Sequence, residues 1–168
     1  YKLMIDGPAI SDARYQGYYP WKWEDFNALP VDYLVVMAYD EMYDKGAGAP
    51  VASLEWLRNT CQWMKDKITD HSKIVIGVPS YGYSGKTGSY EVKLNTYSQS
   101  KLLPGFNTAK RDESSGEMTW QRDGVSSFYS DSETLRRKVD VVKQCDIKAI
   151  SVWHLGGNQW ISTESQEA

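Results

Sequence analysis

What is scarce in this 168-residue chain narrows its function first. It has two cysteines, two histidines and three phenylalanines. Cys61 and Cys145 lie far apart, form no Cys-x-x-Cys pair and have no histidine at ligand spacing, so no metal site is expected. They are compatible with one disulfide or with two buried thiols, and they do not decide the compartment. There is no Lys/Arg block and the net charge is −3, which argues against nucleic acid or an anionic membrane as partner. No apolar run reaches the length of a membrane span. The start, Tyr1-Lys2-Leu3-Met4-Ile5, has neither a signal-peptide pattern nor an initiating methionine, and reads as the middle of a longer polypeptide.

What is abundant is tryptophan and tyrosine, seven and twelve residues respectively. Such side chains carry a polar handle on an apolar ring and suit surfaces that must stack and hydrogen-bond together. A pyranose, with an apolar face and a hydroxyl rim, asks for that kind of surface. A core would use the same residues as filling. Hydrophobic residues make up 41% and charged residues 24%, the balance of a globular domain.

The most informative segment is Val31-Asp32-Tyr33-Leu34-Val35-Val36-Met37-Ala38-Tyr39-Asp40. It reads as a strand over 33–38, and its continuous apolar run suits a parallel strand covered on both faces. It ends in a Tyr-Asp pair, and strand C-termini are where parallel α/β proteins place ligands. Tyr39 and Asp40 are therefore candidates for chemistry, with Met37 pointing the same way as Tyr39. The alternative is an amphipathic core tyrosine followed by a capping aspartate.

Three further strands are expected: Lys2 to Ile5, ending in Asp6; Lys73 to Val78, ending in Ser80-Tyr81; and Ala149 to Trp153. Ser53 caps a helix running to about Ile68, and Ser132 caps another over Glu133 to Gln144. Trp23 to Leu29 makes a helical turn inside an aromatic loop. Asp123-Gly124 signals a hairpin between Glu117–Gln121 and Val125–Tyr129. The expected organisation is a barrel part over 1–83 and 131–162, a small β-rich insertion over 84–130, and a polar tail over 163–168. Four strand ends offering acid, phenol and indole groups match the C-terminal face of a (β/α)8 barrel. Four strands make half of one, since a complete barrel takes roughly 250 residues.

Three motifs in register carry a resemblance. Met37-Ala38-Tyr39-Asp40, Gly77-Val78-Pro79-Ser80-Tyr81-Gly82 and Ser151-Val152-Trp153-His154-Leu155-Gly156-Gly157 resemble the sixth, seventh and eighth strand motifs of glycoside hydrolase family 18, the chitinase-like barrels. The insertion sits where that family carries a small α+β domain. Its closing stretch, Phe128 to Leu135 with Lys138, is most similar to the bacterial cell-wall and spore-cortex-lytic branch. The implied fold is an α/β, (β/α)8 TIM-barrel type, present here as the C-terminal half with an insertion between the last two strands.

The resemblance implies a glycosidase acting on β-1,4-linked N-acetylglucosamine polymers, chitin or peptidoglycan, without metal or cofactor. Hydrolysis would be retaining and substrate-assisted: the sugar's N-acetyl oxygen attacks the anomeric carbon while a glutamic acid protonates the leaving oxygen. Tyr39 would hydrogen-bond the acetamido group, Asp40 would hold the distorted sugar and Met37 would shape the pocket floor. Trp153 would stack beneath the sugar, with Tyr81, Asp6, Trp21, Trp23 and the other aromatics from Tyr15 onward lining the cleft. The family's D-x-x-D-x-D-x-E motif at the end of the fourth strand is absent from these residues, so its glutamate is expected upstream. Glu41, beside Asp40, is on the wrong loop to replace it. Asn158-Gln159 stand where the branch often carries acidic residues. A second hypothesis is a chitinase-like protein that binds oligosaccharide without cleaving it. The expected partners are the polysaccharide and either the missing half-barrel or a second copy of the chain, at the cell surface, the spore wall or outside the cell.

Overall fold

The computed structural model describes residues 1–161; the tail expected at 163–168 lies outside them. The chain runs β1 (Met4–Pro8), α1 (Ala13–Tyr18), β2 (Tyr33–Met37), α2 (Leu54–Lys67), β3 (Ile74–Pro79), β4 (Gly82–Lys86), β5 (Val92–Asn95), α3 (Tyr97–Ser100), β6 (Lys110–Arg111), β7 (Met118–Arg122), β8 (Val125–Tyr129), α4 (Ser132–Gln144) and β9 (Ala149–Trp153). β1, β2, β3 and β9 form a parallel sheet in that order. The register aligns Pro8 with Met37, Met37 with Gly77, and Pro79 with Trp153, so the strands' C-terminal ends share one rim.

β1 lies further along than Lys2 to Ile5. Asp32 accepts from the Leu3 N–H and the Lys2 ammonium, which turns the chain into register one residue before β2 begins. Pairing therefore starts at Met4 opposite Tyr33 and runs to Pro8. Asp6 consequently lies inside the strand rather than after it.

The sheet's two faces differ. Leu34, Val36, Ile74, Ile76 and Val78 point toward α2 and α4, where they bury against Leu57, Cys61, Met64, Leu135 and Val142. That core holds the sheet against its helices, and a smaller cluster of Met42, Val51, Tyr81 and Tyr83 lies at the rim. On the opposite, concave face Met4, Tyr33, Met37 and Trp153 are exposed, Trp153 to 55%. On this face β2 is exposed only at its ends, Tyr33 and Met37, while Val35 between them is buried. Period-two alternation places every exposed member of this set on the same side.

The helices start where side-chain caps allow. Ser53 Oγ accepts from the Trp56 N–H to open α2; α4 is capped not by Ser132, which is its first residue, but by Asp131, whose side chain accepts from the Thr134 N–H. α1 is a short helix in a stretch that reads as an aromatic loop; Asp12 caps it by accepting from Arg14 and Tyr15 N–H groups. Both cysteines are free, Cys61 within the core and Cys145 at the end of α4.

The inserted segment is an antiparallel sheet in the order β5-β4-β8-β7-β6. It begins only two residues after β3, because Gly82 lets the chain press directly onto β8. A Cβ there would stand 2.1 Å from the Phe128 carbonyl oxygen. Asp123 and Gly124 both take positive φ, 51° and 75°, and close the β7–β8 hairpin. Ser130 Oγ then donates to the Pro79 carbonyl, returning the chain to β3 before α4. Tyr81 and Tyr83 therefore ride on the seam between the two sheets.

Candidate active site

Asp40 occupies the left-handed region (φ 71°, ψ 21°), a conformation aspartate tolerates better than most residues. It turns the chain off β2 into a 3₁₀ turn over Glu41–Asp44. Its Oδ1 accepts two hydrogen bonds, from the Tyr81 hydroxyl at 2.5 Å and the Tyr83 hydroxyl at 2.9 Å. Oδ2 takes no hydrogen bond among the described residues. One oxygen is thus anchored and the other is free for a ligand. Glu41 is held elsewhere: its carboxylate accepts from the Ser53 N–H at 2.5 Å and the Ser53 hydroxyl at 3.0 Å. That engagement at the start of α2 fits its exclusion as a substitute acid.

Tyr39 packs edge-on against Tyr81, ring centroids 6.2 Å apart. Gly77 makes room for it, since a Cβ at that position would lie 3.3 Å from the Tyr39 ring and 2.9 Å from the Val36 carbonyl oxygen. Burial, then the charges of Asp40 and Asp6, push the Tyr39 phenol up to about 12. It is a donor across the physiological range. Burial and Asp40 also push Tyr81 and Tyr83 upward, which keeps both as donors to that carboxylate. His154 stacks on the far side of Tyr81, with 6.1 Å between centroids and planes 17° apart. The Trp153–His154 peptide is cis. Ser80 clamps this turn, donating its N–H to the Trp153 carbonyl at 2.7 Å and its hydroxyl to the His154 carbonyl at 2.9 Å.

A cavity of 450 Å³ opens between Met37, Tyr39 and Asp40 on one side and Tyr15, Tyr19 and Tyr43 on the other. Three residues expected to line the cleft are placed differently. Trp23 is 0% exposed and donates its indole N–H to the Pro8 carbonyl. Trp21 stacks on Phe26 at 5.2 Å. Both indoles wedge beneath Gly7, where a Cβ would come within 2.7 Å of either ring, so they are packing behind β1. Tyr81, 1% exposed, orients Asp40 and does not itself face the cleft. Asp6 and Trp153 lie on the concave face. Tyr83, Tyr43 and His154 join this site without a role that the sequence assigns them. Tyr83 had a usable signal, being two residues from Tyr81 in an extended stretch and so on the same side.

Residues 8–158 match the profile of glycosyl hydrolases family 18. The chain belongs to that family. It is 29% identical over 171 residues to the uncharacterized glycosylase YvbX of Bacillus subtilis (strain 168), covering 92% of this chain and 47% of that protein. In structure it resembles a chitinase from Chromobacterium violaceum ATCC 12472, with a TM-score of 0.80 at 21% identity, over 94% of this chain and 52% of that one. It also resembles the Bacillus cereus spore cortex-lytic enzyme SleL, with a TM-score of 0.72 at 17% identity, over 95% of this chain and 39% of that one. The chain spans about half the length of these relatives or less. Its parallel sheet is part of a family 18 (β/α)8 barrel.

Within this family 18 chain, Asn158 and Gln159 have structural work. Asn158 accepts from the Tyr97 N–H at 3.0 Å and donates to the His154 carbonyl at 2.9 Å, while Gln159 accepts from the Ser132 N–H at 3.0 Å. They tie the turn after β9 to the insertion and to α4.

Two predictions arise here. Gly77→Ala presses first on the Val36 carbonyl oxygen and then on the Tyr39 ring. The expected result is a loss of about 1–3 kcal/mol of folding free energy, the usual cost of overpacking a close backbone approach. Urea unfolding checks it, and an unchanged midpoint contradicts it. The second concerns alkali. Tyr39 and Tyr129 have phenols raised from 10.0 to about 12, and Tyr81 and Tyr83 are raised further. A raised folded value means that stability is full below pH 10 and is lost as pH climbs toward 12 and beyond. Urea midpoints should therefore fall steadily between pH 9.5 and 12; a flat profile would contradict the burial of these phenols.

Proposed function

We propose that the complete protein is a retaining glycosidase acting on β-1,4-linked N-acetylglucosamine polymers, with this chain supplying most of the sugar-holding machinery. The observation that carries the reading is the Tyr39–Asp40 pair on the rim, with Asp40 Oδ1 fixed by two phenols and Oδ2 open. The Tyr39 hydroxyl donates to the acetamido group and orients its oxygen toward the anomeric carbon. The Asp40 carboxylate steadies the acetamido nitrogen and the positive charge that develops as an oxazolinium forms. Attack from within the substrate gives retention without a protein nucleophile. Such preorganised groups act in a part-desolvated site, where their field counts for more than in water.

The leaving oxygen needs a proton from a carboxylic acid outside these residues, on the opposite half of the barrel. That half would also cover the concave face bearing Met4, Tyr33 and Met37, which as an isolated apolar surface calls for a partner. The isolated chain would pair with it or with a second copy of itself. Polymers of this kind lie outside the cytoplasm, so the site of action is the cell surface, the spore wall or the medium.

The test is hydrolysis of a chitin oligosaccharide by the complete barrel. Tyr39→Phe should lower kcat about a hundredfold, the scale of losing one positioned donor. Binding of the oligosaccharide with no cleavage by the intact wild-type protein would favour a non-catalytic sugar-binding role instead.

A further inference from the structure

Two thiols meet on the far side of the sheet from the Tyr39–Asp40 groove. Cys61 sits in the middle of α2 and is 0% exposed, while Cys145 is the half-buried residue that closes α4. Cys61 belongs to the core between the sheet and its helices, and Cys145 packs against that core. Lys65, one helical turn after Cys61 and so on the same side of α2, donates its ammonium to the Cys145 carbonyl at 2.9 Å. The end of α4 is thereby held against the turn of α2 that carries Cys61. The two thiols hydrogen-bond to one another there.

The surroundings narrow what this pair can do. Neither cysteine lines the groove beside Asp40. Among the described residues, no histidine or carboxylate joins them in a cluster that could hold a metal ion. Burial pushes the Cys61 thiol upward, and the neighbouring Cys145 adds to the shift. A thiol so placed reacts poorly with anything arriving from solvent. Cys145 is the reachable member, and it has room to adjust. It follows the last residue of α4 (φ −79°, ψ 1°), and Asp146 beyond it takes a positive φ of 58°, so the chain turns away at that point.

We infer that Cys61 and Cys145 are a dithiol site that closes to a disulfide in oxidising surroundings and joins α2 covalently to the end of α4. The oxidant is a small-molecule disulfide of the glutathione class. The Cys145 thiolate attacks one of its sulfurs, a mixed disulfide forms and one thiol leaves. The Cys61 thiolate then attacks the Cys145 sulfur, the Cys61–Cys145 bond forms and the second thiol leaves. The two cysteines give up two electrons, the oxidant is reduced to two thiols, and the cysteine protons pass to the leaving sulfurs. Contact between the two cysteines makes the second step intramolecular, which offsets the low reactivity of the buried thiol. The bond closes a long loop that contains β3, the whole insertion and α4. A cross-link over so long a loop stabilises chiefly by restricting the unfolded chain. The inference does not depend on the glycosidase reading.

The experiment incubates the complete, folded protein with oxidised glutathione, blocks the remaining thiols by alkylation and maps the peptides by mass spectrometry. The expected result is a Cys61 peptide joined to a Cys145 peptide, lighter by two hydrogens than the separate thiols. The urea midpoint of the oxidised protein should lie about 1 M above that of the reduced protein, the scale of one long-loop disulfide. Cys145→Ser should fold and show the same midpoint in both buffers. Alkylation of both cysteines after oxidation would overturn the inference. So would a glutathione adduct that stops at Cys145 with Cys61 still free, or a rise in midpoint that survives Cys145→Ser.

Discussion

Asp40→Asn in the complete protein should, on the function proposed above, lower kcat/KM about a hundred- to a thousandfold, the range seen when one preorganised electrostatic group is removed from a reacting centre. Asparagine keeps an oxygen that can accept from Tyr81 and Tyr83, so the hydrogen bonds at Oδ1 survive in number. What is lost is the negative charge and the free acceptor at Oδ2, replaced by an NH₂ donor. The N–H of a bound acetamido group would then meet a donor, and the developing oxazolinium would lose its counter-charge. Left-handed backbone is accessible to asparagine, so the turn should stand. Kinetics and a thermal melt separate the two effects. A large fall in kcat/KM with a Tm within a few degrees of wild type is expected; a rate within threefold of wild type would remove Asp40 from the mechanism.

Lys138→Met should cost about 3–5 kcal/mol of folding free energy, the usual penalty for stranding one partner of a buried ion pair. Lys138 and Glu117 are both 0% exposed, and Nζ lies 2.9 Å from Glu117 Oε1. The same ammonium donates to the Ala52 carbonyl. Glu117, at the edge of the inserted sheet, accepts from the Val51 and Ala52 N–H groups, each at 2.9 Å. One ion pair therefore joins the insertion, α4 and the strand-to-helix loop before α2. The Val51 carbonyl in turn accepts from the Glu41 N–H, next to Asp40, so loosening the pair should also lower activity. Urea unfolding measures the cost. The double substitution Lys138→Met with Glu117→Gln should be less destabilised than the sum of the single ones, because it leaves no unpaired charge. A loss below 1 kcal/mol in Lys138→Met alone would show that the pair does not tie these elements together.

Much of the scaffold is legible from local pattern. β2, β3 and β9 announce themselves by β-branched apolar runs, α2 by its Ser53 cap ahead of a helical apolar stripe, α4 by its stripe alone, and the β7–β8 turn by Asp123-Gly124. The position of Tyr39 and Asp40 at the end of β2 follows from the same run. What sequence hides is decided by distant partners. β1 takes its bounds from Asp32 and Tyr33 on the neighbouring strand. α1 is too short to show a period and depends on the Asp12 cap. Trp23 and Tyr19 come from one aromatic loop, yet one fills the space left by Gly7 and the other lines the cleft. Composition cannot separate them, because an indole serves core and cleft equally well. Tyr81 reads as a cleft residue until the sharp entry into β4 turns its hydroxyl onto Asp40.

In the function proposed above, the substrate's own acetamido group does the attacking, held by Tyr39 and Asp40. The most direct measurement follows cleavage of a chitin oligosaccharide by NMR, beside the same oligosaccharide bearing free glucosamine at the cleavage subsite. Only the acetylated sugar should be cleaved, and the β-anomer should form first. Cleavage of both at similar rates, or first appearance of the α-anomer, would contradict it.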